Sequence, residues 1–202
     1  MRRGREGSGR LTEMALRNAE VTRDRLMGAA LELYAERGYA GTCLDAIVQR
    51  AASSKGAFYH HFESKEHLTA LALSVRWEAW MEEIQVLWQS PGTAADKLNR
   101  LLMLLKPDHN DAGCALGMLG FESSSLPPQV QQVLAEGLQR WKELLGRLLQ
   151  ELGVQEQRAA ELAELLFVMY EGGVLTQRVN GSKGALTRAL AAWRQSVLAA
   201  LD

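Results

Sequence analysis

Hydrophobic residues recur at steps of three and four along most of this 202-residue chain, a spacing typical of amphipathic α-helices. The first such segment begins at Thr22 and ends at Gly38, and it places Leu26, Leu33 and Tyr34 on one face. Two short segments follow, and longer ones then alternate with breaks rich in Pro, Gly and Ser. The sequence shows no strand-like alternation and no internal repeat. The pattern therefore predicts an all-α chain of about nine helices.

Local capping signals set the expected boundaries of the other helices. Thr42 is expected to cap the second helix, with Asp45 three residues later as in a capping box. Ser54 begins the third helix, which runs to about His61. The remaining helices are expected over residues 64–89, 94–106, 114–126, 128–152, 155–179 and 183–201.

Residues 1–20 are rich in Arg, Gly and Ser and have no apolar period, so we expect a disordered basic arm. Several interpretations of this arm stay open. It is a loose tail, an arm that grasps DNA, an added segment, or an upstream extension if Met14 is the natural start. Its charge contributes to a weak asymmetry: residues 1–68 carry 11 Lys and Arg against 9 Asp and Glu, whereas the rest carry 12 against 15.

The stretch AASSKGAFYHHFESKEHL, residues 51–68, mixes residue types that suit neither a core helix nor a solvated face. Two short helices joined by a tight turn and packed under a preceding helix form a helix-turn-helix unit, whose second helix enters a DNA major groove. Such a helix must face DNA on one side and its own core on the other, and we assign Phe58 and Phe62 to the core. The expected DNA-facing residues are Ser54, Lys55, Gly56, Ala57, Tyr59, His60 and Lys65.

The run TCLDAIVQRAASSKGAFYHHFESKEHL, which starts at Thr42, resembles the DNA-binding signature of the tetracycline-repressor (TetR) family of bacterial transcription regulators. The resemblance covers about residues 22–73 and implies that Thr42 contacts a phosphate. It also implies that Lys55, Ala57, Tyr59, His60 and Lys65 lie at the DNA.

Two positions depart from the family's usual pattern. Ala52-Ser53 stands where Gly-Val is common in the turn, and Cys43 stands where a second Thr is usual. The first departure predicts a slightly strained turn, and both leave the base preference open.

The resemblance implies a DNA-binding domain over residues 21–68 and a ligand-binding and dimerisation domain over 69–202. The eighth helix is apolar nearly all round, and the ninth carries one apolar stripe with alanines, so both are expected to pair with those of a second copy. Gly172-Gly173 predicts a close helix crossing or a kink. For an apolar or flat-ringed effector, the candidate residues are Trp80, Met103, Cys114, Met118, Phe121, Trp141 and Tyr170, although any one of them is more typical of core.

Cys114 begins the run GCALGMLGFES, which resembles a branch of the family with Gly-Cys at the start of the sixth helix. A helix N-terminus favours the thiolate form, so Cys114 is a candidate sensor of electrophiles or oxidants. A small residue beside the pocket is the plainer interpretation, and both stay open.

Other classes of protein fit the sequence poorly. Two cysteines indicate a reducing compartment, and no apolar run is long enough for a membrane span, so we expect a cytoplasmic protein. We find no phosphate loop, nucleophile elbow or metal-ligand spacing, and therefore expect no enzyme, metal or cofactor. Adjacent His60 and His61 diverge on a helix, which argues against a metal site with His67 and His109.

The leading hypothesis is a regulator that binds operator DNA as a homodimer and responds to a small, mainly apolar or electrophilic effector. Repression is the expected sense of regulation, and activation stays open. The alternative is a dimeric small-molecule-binding protein with a vestigial DNA-binding domain.

Overall fold

The computed structural model describes residues 5–105, 114–181 and 184–201, with side chains from residue 17 onward. Within these ranges the chain forms nine α-helices and no strand, which confirms the all-α prediction. The expected loop at 107–113, with His109, lies outside the described residues. The helices are α1 (Arg5–Arg37), α2 (Leu44–Arg50), α3 (Lys55–His61), α4 (Lys65–Gln89), α5 (Ala94–Leu104), α6 (Ala115–Phe121), α7 (Pro128–Glu151), α8 (Glu156–Asn180) and α9 (Ala185–Leu198).

The first helix is longer than the sequence pattern predicts. α1 begins at Arg5, so the expected disordered arm is wrong for residues 5–20, and residues 1–4 lie outside the described part. Strong helix formers such as Leu, Met, Ala and Glu dominate residues 11–20. Because extending a helix costs far less than nucleating one, these residues continue α1 without needing an apolar face.

The N-terminal helices share one core, which α4 closes. Phe58 and Phe62 are 0% and 1% exposed, which confirms them as core anchors. The Tyr34 hydroxyl lies 2.6 Å from Thr69 Oγ1 of α4, and both residues are buried. Since Thr69 donates its own proton to the Lys65 carbonyl, Tyr34 is the donor in this contact. α4 is thereby fixed to the DNA-binding domain at its first turns.

The C-terminal helices pack as neighbours, with α7 against α4 and α8, and α8 against α9. Trp77 and Trp141 are both buried between these helices. Trp193 of α9 is also buried, and its indole N–H donates to the Leu162 carbonyl of α8 at 2.7 Å. α4 therefore belongs to both cores. Its first turns pack against α1 of the DNA-binding domain, and its later turns pack against α7 of the C-terminal domain.

The predicted close crossing at the glycine pair of α8 is confirmed for one member. A Cβ placed on Gly173 would lie 2.8 Å from Leu186 Cα, so α8 and α9 touch through the missing side chain. Gly172 is exposed, and a Cβ there would meet nothing within 4 Å.

The sixth helix is shorter than expected. It ends at Phe121, and a 3₁₀ turn over Ser123–Ser125 replaces its predicted last turn. Glu122 therefore stands at the junction of the two, where its side chain reaches the N-terminal domain.

Candidate DNA-binding surface and effector site

The turn between α2 and α3 carries backbone strain. Ala52 has φ +46°, and it is the one non-glycine residue with positive φ in the described part of the chain. An alanine in this region costs about 1–2 kcal/mol because its Cβ crowds the following carbonyl. The Arg25 guanidinium donates to the Ala51 and Ala52 carbonyls and holds the turn from α1. The expected strain at Ala52 is thus confirmed.

α3 separates its core face from an exposed polar face. Ser54 is the N-cap, and its Oγ accepts from the Ala57 N–H at 3.1 Å. Phe58 points into the core, whereas Tyr59 is 60% exposed. The predicted DNA-facing residues that the structure leaves on the exposed side of α3 are Ser54, Lys55, Gly56, Tyr59 and His60, with Ala57 half-buried.

Lys55 is held by an exposed ion pair that the sequence analysis missed. Its Nζ lies 2.8 Å from Asp45 Oδ1 of α2, and this carboxylate raises the pKa of Lys55. Asp45 was expected to complete a capping box, but Cys43 is the N-cap of α2 and makes no side-chain cap bond. The carboxylate is therefore free to turn toward α3.

The side chains of Thr42 and Lys65, both predicted to lie at the DNA, form contacts within the protein. Thr42 is 1% exposed and donates its hydroxyl to the Gly38 carbonyl at 2.7 Å. Lys65 Nζ donates to the Tyr39 and Thr42 carbonyls at 3.1 and 2.9 Å, and lies 3.6 Å from the Tyr39 ring centroid. Burial lowers the pKa of Lys65. Both side chains stabilise the loop between α1 and α2 by donating to its backbone carbonyls.

Glu122 joins the C-terminal domain to this same loop. Its Oε2 accepts from the Tyr39 and Ala40 N–H groups at 2.6 and 3.2 Å. Gly38 has φ +75°, and a Cβ there would collide with the Glu122 carboxylate. The sequence therefore needs glycine at position 38 for two reasons, the left-handed backbone and the close approach of Glu122.

Arg178 of α8 makes the second link between the domains. Its guanidinium donates to the Ala35 and Glu36 carbonyls at 3.2 and 2.9 Å, where α1 ends. It also lies 3.3 Å from Met118 Sδ of α6. We call Glu122 and Arg178, with the backbone of residues 35–40 that they hold, the clasp. A basic residue at a helix C-terminus satisfies carbonyls that lack intrahelical partners.

The C-terminal domain brings several predicted effector residues together. Trp77, Trp80, Trp141 and Phe167 form a continuous series of ring contacts, with centroids 5.7 to 5.9 Å apart. We call this series the aromatic row. Met103 and Phe121 are each 69% exposed and do not join it, which corrects their assignment. A helical period identifies a face, but it does not say which apolar residues stay outside the core.

Cys114 is the N-cap of α6 and also lies near the carboxylate of Glu171, which raises the pKa of the thiol. A Cβ on Gly117 would collide with the same carboxylate. Burial, and then the Glu171 charge, raise the pKa of Cys114 to about 12. Burial and the charge of Glu171 outweigh the backbone N–H groups of Gly117 and Leu116, which do lower the pKa of Cys114, as expected at a helix N-terminus. Burial also raises the pKa of Tyr170, the neighbour of Glu171.

Comparison with known proteins agrees with this arrangement. Residues 26–71 match the family model described as "Bacterial regulatory proteins, tetR family", and residues 94–192 match "Transcriptional regulator LmrA/YxaF-like, C-terminal domain". The uncharacterized HTH-type transcriptional regulator YxaF of Bacillus subtilis (strain 168) is 27% identical over 173 residues, covering 82% of this chain and 89% of YxaF. The HTH-type transcriptional repressor NemR of Escherichia coli (strain K12) is 25% identical over 181 residues, covering 84% and 90%.

Solved structures show the same fold. The reduced form of E. coli NemR superposes with a TM-score of 0.74 at 25% identity, over 86% of this chain and 96% of that one. A TetR transcriptional regulator from Legionella pneumophila superposes with a TM-score of 0.79 at 21% identity, over 85% and 95%.

The fold and the exposed face of α3 define a helix-turn-helix DNA-binding transcriptional regulator, which is not an enzyme. Both parts of the chain match TetR models, and the chain belongs to the TetR family. None of the helices in the described part has the length and apolarity needed to cross a membrane. The described residues also hold no group of three or more side chains suited to a metal ion.

Proposed function

We propose that the chain is a homodimeric repressor in the bacterial cytoplasm, which releases its operator when a small organic effector binds the C-terminal domain. The repressor names of relatives such as NemR support the sense of regulation. The electrophilic class of effector, in contrast, loses support from the raised pKa of Cys114.

The exposed face of α3 is the observation that carries the DNA-binding role. Lys55 and Tyr59 are one turn apart on one face, and His60, about 100° further round the helix, is also exposed. Phe58 and Phe62 bury the opposite side, so the helix is rigidly anchored while this face stays open. An exposed tyrosine ring beside a lysine suits contacts to phosphates and base edges in a major groove.

The clasp supports a response to an effector. Glu122 ends α6 and holds the loop that leads into α2, and Arg178 connects α8 to the end of α1. A ligand that displaces α6 therefore changes the position of the helix-turn-helix unit relative to its twin. A coupling free energy of about 1–3 kcal/mol is usual for such linkage and is enough to release an operator.

An unpartnered face of α8 supports the dimer. Val168, Gly172, Leu175 and Val179 are exposed at helical spacing, and the three apolar side chains are 58%, 45% and 71% exposed. Pairing this face and α9 with those of a second copy forms a two-fold four-helix bundle. Two recognition helices then reach half-sites about 34–36 Å apart.

An operator-shift titration tests the DNA-binding role, using duplex DNA from upstream of the chain's own gene. Lys55→Ala combined with Tyr59→Ala is expected to weaken binding by at least about tenfold at constant salt. Arg147→Ala is the matched control, because Arg147 is exposed on α7, outside the DNA-binding domain. Unchanged affinity in the double variant contradicts the proposal and favours a small-molecule-binding protein with a vestigial DNA-binding domain.

A further inference from the structure

Glu171 is a carboxylate inside the C-terminal domain. It is half-buried on α8 and lies against Gly117 of α6, and its charge raises the pKa of Cys114. Among the described residues, no Lys or Arg lies within ion-pair distance of it. Burial raises the pKa of Glu171, as expected for a carboxylate short of positive charge.

Within the described part of the chain, two groups linked to this region carry or could carry charge, and neither forms an ion pair with Glu171. The positive charge of Arg76 on α4 acts on Tyr170, and its guanidinium is 4.0 Å from Glu83. The Cys114 thiol is neutral at physiological pH because its pKa is about 12. A thiol is a weak donor, so it compensates only part of the lost hydration of the carboxylate.

Aromatic rings stand beside Glu171. Phe167 precedes it by one turn of α8 and therefore shares its face. Phe167 contacts Trp141, and Trp141 stacks on Trp80, with centroids 5.9 and 5.8 Å apart. Trp80, Phe167 and Glu171 are all only partly buried, so part of each surface remains open to a ligand.

We infer that the effector is an organic cation, with its positive group against Glu171 and its apolar body against Trp80 and Phe167. Rings present a negative face to a cation, and a carboxylate with no Lys or Arg partner among the described residues adds a charge that a neutral ligand leaves unbalanced. This inference rests on the proposed function, since it names the effector class of the same domain. Because Glu171 abuts α6 at Gly117 and Glu122 directly follows the last residue of α6, a cation here also acts directly on the clasp.

Three probes that share one phenol ring test the inference by calorimetry on the full chain. They are 3-hydroxyphenyltrimethylammonium, its neutral isostere 3-tert-butylphenol, and the anion 3-hydroxybenzoate. We expect the cation to bind at least about tenfold more tightly than the neutral isostere, and the anion to bind most weakly. Equal or tighter binding of the neutral probe overturns the inference, as does a cation dissociation constant above about 1 mM.

Two variants test whether Glu171 causes the preference for the cation. Glu171→Gln keeps the shape of the side chain and is expected to remove the preference for the cation. Glu164→Gln is the matched control, because Glu164 is exposed on α8 two turns earlier. If a folded Glu171→Gln variant still prefers the cation to the neutral probe, the inference is overturned. If that variant does not fold, the three affinities measured on the wild-type chain decide the question. Operator binding, measured on the same samples, separates this outcome from the proposed function: lost cation binding with intact operator binding refutes the effector class alone.

Discussion

Glu122 and Tyr39 lie 83 positions apart in the sequence, yet the carboxylate of one accepts the backbone N–H of the other at 2.6 Å. This contact joins the end of α6 to the loop that leads into α2. A charged acceptor for two successive N–H groups makes a stronger link than a neutral one would. The C-terminal domain therefore holds the DNA-binding domain through backbone N–H groups of this loop.

Removing the Glu122 carboxylate should loosen this loop. Glu122→Ala leaves two N–H groups without their acceptor, which is expected to cost about 1–3 kcal/mol in the free energy of unfolding. Glu122→Gln keeps one acceptor oxygen and should cost less. Urea unfolding measures the stability, and hydrogen exchange at the Tyr39 and Ala40 amides measures the local opening.

Glu82→Ala is the control for the loss of a carboxylate, because Glu82 is exposed on α4. Exchange at the Tyr39 and Ala40 amides that stays as slow in Glu122→Ala as in the wild type would contradict the role of the clasp.

The raised pKa of Cys114 predicts a slow thiol. With a pKa of about 12, only about one molecule in ten thousand carries the thiolate at pH 8. Iodoacetamide should therefore label exposed Cys43 well before Cys114, as read by mass spectrometry of the unmodified chain. Labelling of Cys114 should rise about tenfold with each pH unit below 12, because the thiolate fraction does so. Glu171→Gln removes a group that raises this pKa and should speed the labelling, and an unchanged rate would refute the proposed electrostatic cause.

Relief of the strained turn should stabilise the protein. Ala52→Gly removes the steric cost of φ +46° but gives the unfolded chain more freedom, for a net gain of about 0.5–1 kcal/mol. Ala135→Gly, at an exposed position of α7 with ordinary helical backbone, should instead destabilise by about 1 kcal/mol. Thermal unfolding of the two variants measures whether each gains or loses stability. A loss of stability in Ala52→Gly would contradict the strain at this turn.

The Lys55–Asp45 pair should restrain DNA binding. Asp45 holds the Lys55 ammonium at 2.8 Å, so contact with a phosphate requires this exposed pair to separate. Asp45→Asn is expected to tighten operator binding about two- to fivefold, in keeping with the small strength of surface ion pairs. Asp45→Asn could tighten binding in two ways, by freeing Lys55 or by removing a negative charge that repels the DNA. The same substitution in a Lys55→Ala background distinguishes the two causes. An equal gain in both backgrounds assigns the effect to repulsion and refutes the restraint.

Sequence patterns predicted the backbone of this protein better than its polar contacts. Apolar period and caps placed seven helices, α2–α5 and α7–α9, within a few residues, because burial and turn chemistry act locally. Phe58 and Phe62 were assigned correctly for the same reason. α1 differs because the strong helix formers of residues 11–20 continue it without an apolar face, although Gly7 and Gly9 in its first turns are poor helix formers.

Long-range polar partners were beyond reach of the sequence. Glu122 and Arg178 bind backbone groups that are far away along the chain. Every residue carries such backbone groups, so the sequence does not show which of them a side chain binds. Lys65 occupies a position that the family resemblance assigned to DNA, yet the free carbonyls of Tyr39 and Thr42 engage it. A sequence motif predicts the position of such a residue in the fold, whereas the groups around it decide what its side chain binds.

Gly172 and Gly173 should respond in opposite ways to the same substitution. Gly173→Ala brings a Cβ to 2.8 Å from the Leu186 backbone, where little can yield, and should destabilise by about 1–2 kcal/mol. Gly172→Ala meets open space in one protomer and should gain about 1 kcal/mol of helix propensity. Urea unfolding at several protein concentrations measures both. If Gly172→Ala loses stability only at low concentration, its methyl group weakens the proposed dimer, because dissociation then contributes to unfolding. Loss at every concentration would contradict the open space beside Gly172.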